Sequence, residues 1–271
     1  MLSMEITCLI LGSVVGFIMA LTGAGGSILA VPFLIFGLHL GISDAAPIAL
    51  LAAGLSAAIG AAIGLKAGKV RYRAAALIAV TGMIVSPLGV WTAHQVPNLW
   101  LTLIFAIILI YVAINMFYKS MHADSANIDE ASCGQAPCKI DTTAGRLIWT
   151  LPCAWIMAAS GVLAGFLSGL LGVGGGFVVV PALKKASNLG MEHIVPTSLA
   201  VISLVSLSGV VVAIAGGHIN WTIALPFVAA SIVGMLLGRL LAKQFQGALI
   251  LRIFSIFALG TATAMILKSV T

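Results

Sequence analysis

The sequence matches itself at a single ungapped offset, and that register limits the fold more than any other feature. Gly16-Phe17 recurs 149 residues later as Gly165-Phe166. The same offset pairs Leu21 with Leu170, and Gly23, Gly25 and Gly26 with Gly172, Gly174 and Gly175. It continues through Val31-Pro32 and Val180-Pro181, Gly41 and Gly190, Pro47 and Pro196, Gly60 and Gly209, and Gly89 and Gly238. Isolated Leu or Gly matches are common in a biased composition. A run that keeps the prolines and the glycine cluster in one register is not. The chain therefore reads as two homologous halves, 1–118 and 147–271, joined by a linker over 119–146.

Composition identifies the solvent. Only 7% of the residues are charged and 61% are hydrophobic, against about 25% charged in a soluble domain. So few charges cannot cover a soluble surface. This excludes a cytosolic enzyme, a nucleic-acid-binding domain and a disordered chain. Apolar runs such as Leu99–Phe117 and Ile223–Leu237 lack the short alternating pattern of a membrane β-barrel. The reading is an all-α, polytopic integral membrane protein that is not an enzyme. The apolar run Ile6–Leu21 imitates a signal peptide, but Met1–Glu5 carries no Lys or Arg, and the run belongs to the repeat. It is expected to stay in the mature protein.

Each half divides into five apolar segments, at about 5–22, 26–38, 45–65, 73–93 and 98–118, and again at 147–171, 175–188, 195–215, 221–240 and 247–268. The second segment of each half is only about 13 residues, or roughly 20 Å of helix. A bilayer core is about 30 Å thick. These segments are expected to be half-helices, re-entrant or ending deep in a cavity.

Basic residues orient the halves. Loop 66–73 carries Lys66, Lys69, Arg71 and Arg73, and is placed in the cytoplasm. The linker with Lys119, Lys139 and Arg146, the pair Lys184 and Lys185, and Arg239 with Lys243 are placed there too. Loops 94–98 and 216–220 have no Lys or Arg and are placed outside. Loops equivalent under the offset fall on opposite sides. That is an inverted-topology repeat, a common plan of secondary transporters.

The glycine clusters carry the chemistry. Each sits between a long first segment and a short second one. Glycines break the helix, and the half-helix that follows presents its positive N-terminus at depth. In lipid such backbone survives only where it lines a cavity or is buried in protein. Two clusters meeting at a pseudo-two-fold axis would make an anion site. The same glycines would also permit a tight turn and close helix packing. The candidate binding residues are Gly23, Gly25, Gly26 and Ser27 in the first half, and Gly172, Gly174, Gly175 and Gly176 in the second. Thr197 and Ser198, just after Pro196, add hydroxyls, with helix capping as the plain alternative. Pro47 and Pro196 are expected to open the third segments. Ile48-Ala49 replaces the hydroxyl pair in the first half, so the halves do not contribute alike.

Other chemistry is sparse. The clusters are not nucleotide loops, because the third glycine of a dinucleotide fingerprint is replaced by Ile28 and Phe177. The apolar segments hold no acid beyond the edge residues Glu5 and Asp44. The carboxylate relay of a proton-coupled transporter and a carboxylate metal cage are therefore absent. No metal site or cofactor is expected. His39, His94, His193 and His218 stand at loop edges, and none has another His or an acid at i, i+4 spacing in the sequence. Cys8 and Cys153 read as small buried hydrophobes. Cys133 and Cys138, in the linker, supply the alternative function: a soft-metal or redox-responsive membrane protein.

The duplicated pattern Gly-Phe-x5-Gly-x-Gly-Gly-x4-Val-Pro at Gly16–Pro32 and Gly165–Pro181, with Pro196-Thr197-Ser198-Leu199, resembles the TauE/SafE family of membrane permeases. The resemblance covers both halves. It implies a secondary transporter that moves a small sulfur-containing anion, such as sulfite or an organosulfonate, across a bacterial-type inner membrane. The expected partners are that anion and the lipid bilayer, with no nucleic acid. Oligomeric state is left open, a homodimer among the options.

Overall fold

The structure is a computed structural model that describes residues 2–22, 26–122, 151–186, 190–217, 219–241 and 247–270. Every regular element among them is helical. The first half holds α1 (Leu2–Thr22), a 3-10 turn (Gly26–Leu29), α2 (Ala30–Leu38), α3 (Ile42–Lys66), α4 (Tyr72–Gln95) and α5 (Asn98–His122). The second holds α6 (Leu151–Leu171), α7 (Gly176–Ala186), α8 (Met191–Ala215), α9 (Trp221–Leu241) and α10 (Gly247–Val270). Six of these helices are long and apolar enough to cross a bilayer: α3, α4, α5, α6, α8 and α9. The chain is a multi-pass membrane protein. Its lipid-facing surface carries large apolar side chains such as Ile84, Trp91, Ile107, Trp155 and Leu240, all more than half exposed.

Helix boundaries repeat in the two halves. Gly41 and Gly190 cap α3 and α8 in extended conformation, with ψ of 157° and 152°. Gly68 and Gly217 follow the other ends, with φ of +67° and +70°. Their amides bond to Leu65 and Ile214 carbonyls, at 2.9 and 3.0 Å. Only glycine takes that left-handed turn without steric cost. The prolines differ from expectation. Pro47 and Pro196 do not open the helices but lie inside them, at the sixth residue. The glycine caps start each helix more than a turn earlier. The missing proline N–H would have bonded to Ser43 or Glu192, still in the first turn.

Packing follows the repeat. The helix α1 lies on α9 and α6 lies on α4, while α3 packs on α8 and α5 on α10. Individual contacts obey the 149-residue offset. Gly12 abuts Phe227 and Ala230, and Gly161 abuts their counterparts Ile78 and Thr81. Gly60 abuts Leu199, Met235 and Arg239, and Gly209 abuts their counterparts Leu50, Ser86 and Val90. Small residues let the backbones touch, as membrane interfaces without a hydrophobic driving force require.

The two short helices fold back as hairpins. The start of α1 meets the end of α2, where Gly37 faces Thr7 and Leu11. The start of α6 meets the end of α7, where Cys153 shares a core with Leu183 and Ala186. The first hairpin leads into the start of α3 and the second into the start of α8. These starts lie at opposite ends, because the loop after α3 is docked on the start of α8. There Lys69 reaches Glu192 at 3.4 Å, and His193 Nδ1 lies 3.0 Å from the Lys69 carbonyl. The end with Lys66, Lys69, Arg71, Arg73 and Lys184 is thus basic. At the other end Ser43 N–H donates to Asn98 Oδ1 at 3.4 Å, near His94, and the one Lys or Arg among the described residues there is Lys268 of α10, a turn past the Met265 that lies beside Gly41 and Asn98. Cys8 and Cys153 are buried as expected, and Cys153 is disulfide-bonded.

Candidate functional site

The tips of the two hairpins touch at the middle of the molecule. Thr22 closes α1 by donating to the Ile18 carbonyl at 2.9 Å while accepting from the Gly26 N–H at 2.9 Å. The 3-10 turn that follows, Gly26–Leu29, is entirely buried. From it Ser27 Oγ donates to the Val173 carbonyl at 2.5 Å, across 146 residues of sequence. Val173 lies in the second glycine break. A β carbon on Gly26 would run into the Met19 backbone, so this turn is pressed directly onto α1.

The second break is a left-handed turn. Gly172, Gly174 and Gly175 have φ of +73°, +73° and +69°, values that side chains rarely tolerate. The Gly172 N–H still bonds to the Ser168 carbonyl at 2.9 Å, and α7 begins with Val178 and Val179 bonding to the Gly175 carbonyl. Gly174 sits where α3 and α8 cross. Its α carbon faces Ala53, Ile202 and the Ser206 hydroxyl. Ala53 and Ile202 are equivalents under the 149-residue offset. Gly172 leaves no room for a side chain against Ala46 of α3. The glycines therefore serve close packing here, and they also bring bare backbone to the centre of the bundle.

Of the residues singled out by sequence, the structure brings together Gly26, Ser27, Gly172, Gly174, Gly175 and Gly176. Gly23 and Gly25 lie outside the described residues, as do the linker thiols Cys133 and Cys138. Thr197 and Ser198 are fully buried near the start of α8, nine residues and about 13 Å of helix from Ser206. Thr197 Oγ1 donates to the His193 carbonyl at 2.6 Å and accepts from the Arg71 N–H at 3.1 Å. Ser198 Oγ donates to the Val195 carbonyl at 2.8 Å. Their hydroxyls fasten the α3–α4 loop and the first turns of α8.

Sequence reading passed over three hydroxyls. Ser86 in α4, Ser168 in α6 and Ser206 in α8 are all completely buried, and their Oγ atoms have no hydrogen-bond partner. Isolated serines in apolar segments look like small packing residues, so only their offset partners could have drawn notice. Among the described residues no group of three His, Cys, Asp or Glu side chains could hold a metal ion.

Two glycine-broken hairpins thus meet by their tips inside a helical membrane bundle. The family model for Sulfite exporter TauE/SafE matches residues 8–265. The chain belongs to the TauE/SafE family. It is 28% identical over 264 residues to a "Probable membrane transporter protein" of Xylella fastidiosa, covering 95% of this chain and 93% of the relative. A "Probable membrane transporter protein YunE" of Bacillus subtilis is 26% identical, covering 91% and 92%. A probable membrane transporter protein of Methanocaldococcus jannaschii is 29% identical, covering 75% and 70%. No solved structure matches the chain significantly. As a TauE/SafE member the chain is a membrane transporter, and the duplicated glycine motif that carried the resemblance is the part of it that builds the centre.

Proposed function

We infer that this TauE/SafE protein is a secondary transporter for a small sulfur-containing oxyanion, such as sulfite or an organosulfonate, in a bacterial-type inner membrane. The contact between Ser27 and Val173 carries the reading. Two hairpins that enter from opposite ends and touch at their tips are what an inverted-topology repeat builds around a central site. Helix α7 turns its positive N-terminus toward that point, which favours an anion over a cation. The basic end, with Lys66, Lys69, Arg71 and Arg73, supports a cytoplasmic placement by the positive-inside rule. Alternating access follows from rocking one half against the other, with the small-residue contacts at Gly12, Gly16, Gly161 and Gly165 as sliding surfaces.

The test is uptake of radiolabelled sulfite into proteoliposomes holding the purified protein, with unlabelled organosulfonates as competitors. Saturable uptake that sulfonates compete away is the expected result. Absence of uptake by protein that is monodisperse and inserted would overturn the sulfur-anion assignment.

A further inference from the structure

The geometry points to Ser86, Ser168 and Ser206 as an oxyanion-recognition site formed in only one of the two pseudo-equivalent places. The proposal rests on the transporter reading above and gives it a location. All three side chains are fully buried, and none has a hydrogen-bond partner. A buried hydroxyl without a partner forfeits the hydrogen bonds that it makes to water. Serines in helices usually avoid that cost by bonding to their own backbone, as Ser160, Ser198, Ser203, Ser208 and Ser231 all do here. Three exceptions in one region call for something that satisfies them at another moment.

The repeat shows what a purely structural version of this region looks like. Shifted by 149 residues, Ser86 corresponds to Met235, Ser168 to Met19 and Ser206 to Ala57. Those three residues belong to a single apolar cluster. The chain has thus solved the same packing problem twice, once with methionines and alanine and once with three hydroxyls. Gly209 meets Ser86 Oγ, while its counterpart Gly60 meets the Met235 methyl group. The packing role needs no polar atom, and yet one copy has three.

Position supports an anion. Ser206 Oγ faces Gly174 in the left-handed turn that opens α7, so the hydroxyl and the positive end of a helix share one spot. No acid of the described residues lies in this seam to attract a cation. A narrow cleft lined by Ser43, Pro47, Leu50, Val90, His94 and Gly169 leads inward from the non-basic end. Leu50 and Val90 at its floor also border Gly209 beside Ser86. Its cavity volume is about 10 Å³, room for a single water. At the equivalent place in the other half, Arg239 replaces Val90 and donates through Nη1 to the Gly60 carbonyl at 2.6 Å. One side thus holds free hydroxyls under a cleft, and the other is filled with methionine and sealed by a guanidinium. An oxyanion reaches the serines when the halves part enough to widen the cleft.

The experiment compares Ser86→Ala, Ser168→Ala, Ser206→Ala and the triple variant with Ser56→Ala. Ser56 is a buried serine already paired, at 3.1 Å, with Ser231. Two readouts are taken: KM for radiolabelled sulfite in proteoliposomes, and the rise in thermal midpoint of detergent-purified protein on adding sulfite, methanesulfonate, phosphate, acetate or sodium chloride. Each of the three serine variants is expected to raise KM about tenfold, the loss of a charge-assisted hydrogen bond. The triple variant should lose the sulfite-induced stabilisation while melting no lower than wild type without ligand. Ser56→Ala should melt lower and keep its KM. A triple variant with wild-type KM and an intact sulfite shift overturns the proposal and leaves the transporter reading standing. So does a triple variant that melts several degrees lower without ligand, because the hydroxyls would then be structural. Serine-dependent stabilisation by sodium chloride but by no oxyanion overturns it too. Serine-dependent stabilisation by phosphate or acetate, with no sulfite uptake, supports the site and overturns the sulfur-anion assignment instead.

Discussion

Ser27 and Val173, 146 positions apart, are joined by a 2.5 Å hydrogen bond from hydroxyl to carbonyl at the centre of the bundle. Both residues are completely buried, so neither group can turn to water in exchange. Ser27→Ala would leave the Val173 carbonyl short of that donor. The expected loss is about 1–3 kcal/mol of stability, with sulfite uptake reduced because the two hairpin tips lose their fixed relation. Thermal melting in detergent and proteoliposome flux measure the two effects. A variant that melts and transports like wild type would show that the bond does not couple the halves.

Thr197 separates a structural hydroxyl from a recognising one. It holds both a carbonyl, at His193, and an amide, at Arg71, so its donor is spent on the fold. Thr197→Val removes the hydroxyl at nearly constant volume, and should lower stability by about 1–3 kcal/mol. Thr197→Ser should restore most of it. In both variants the KM for sulfite should stay within about twofold of wild type, far below the tenfold step that each unit of 1.4 kcal/mol would give. A large rise in KM for Thr197→Val with unchanged melting would instead make Thr197 a substrate-binding residue.

Much of this architecture was legible in the sequence because the signals were redundant. The 149-residue register, the short segments after each glycine cluster and the basic loop at 66–73 each constrain the same bundle. The α3 and α8 starts were misplaced because proline is a weak marker where a glycine cap precedes it by six residues. The unpartnered hydroxyls were harder to see. Thr197 and Ser198 stand in a motif and attract attention, yet their bonding atoms are engaged by backbone. Ser86, Ser168 and Ser206 stand in no motif. Their meaning depends on two things a sequence does not display, burial without a partner and the apolar identity of the offset positions. Sequence also could not show that Gly172 and Gly26 are pressed onto backbone, because tight packing and ligand exposure use the same residue.

Glycine substitutions should divide by what lies opposite the α carbon. Gly165 faces the Gly82 backbone with no space for a methyl group, whereas Gly260 in α10 has nothing within 4 Å. Gly165→Ala forces α4 and α6 apart and should cost about 1–3 kcal/mol, as overpacking does. Gly260→Ala meets no neighbour and removes backbone freedom from the unfolded chain, so it should be neutral or stabilising by up to about 1 kcal/mol. Thermal melting of both variants decides the point. Equal melting would mean that the helix contact at Gly165 is looser than its geometry indicates.

The bond from Arg239 Nη1 to the Gly60 carbonyl, at 2.6 Å, ties α9 to α3 near the basic end, and under the alternating access proposed above it would help to close that end. The guanidinium occupies the place that Val90 holds beside the cleft of the other half. Arg239→Met keeps the stem and discards the donor. Arg239→Lys keeps the charge but offers a more mobile point donor in place of a planar fork. Both changes should loosen the closed end, with Met having the larger effect. A thiol placed at Ala61, which is 4% exposed, reports on this in a background without other reactive cysteines. Its maleimide labelling should quicken several-fold in Arg239→Met and less in Arg239→Lys, and saturating sulfite should alter the rate only if transport opens the same end. Unchanged labelling in both variants would mean that helix packing alone closes the basic end and that Arg239 merely fills space.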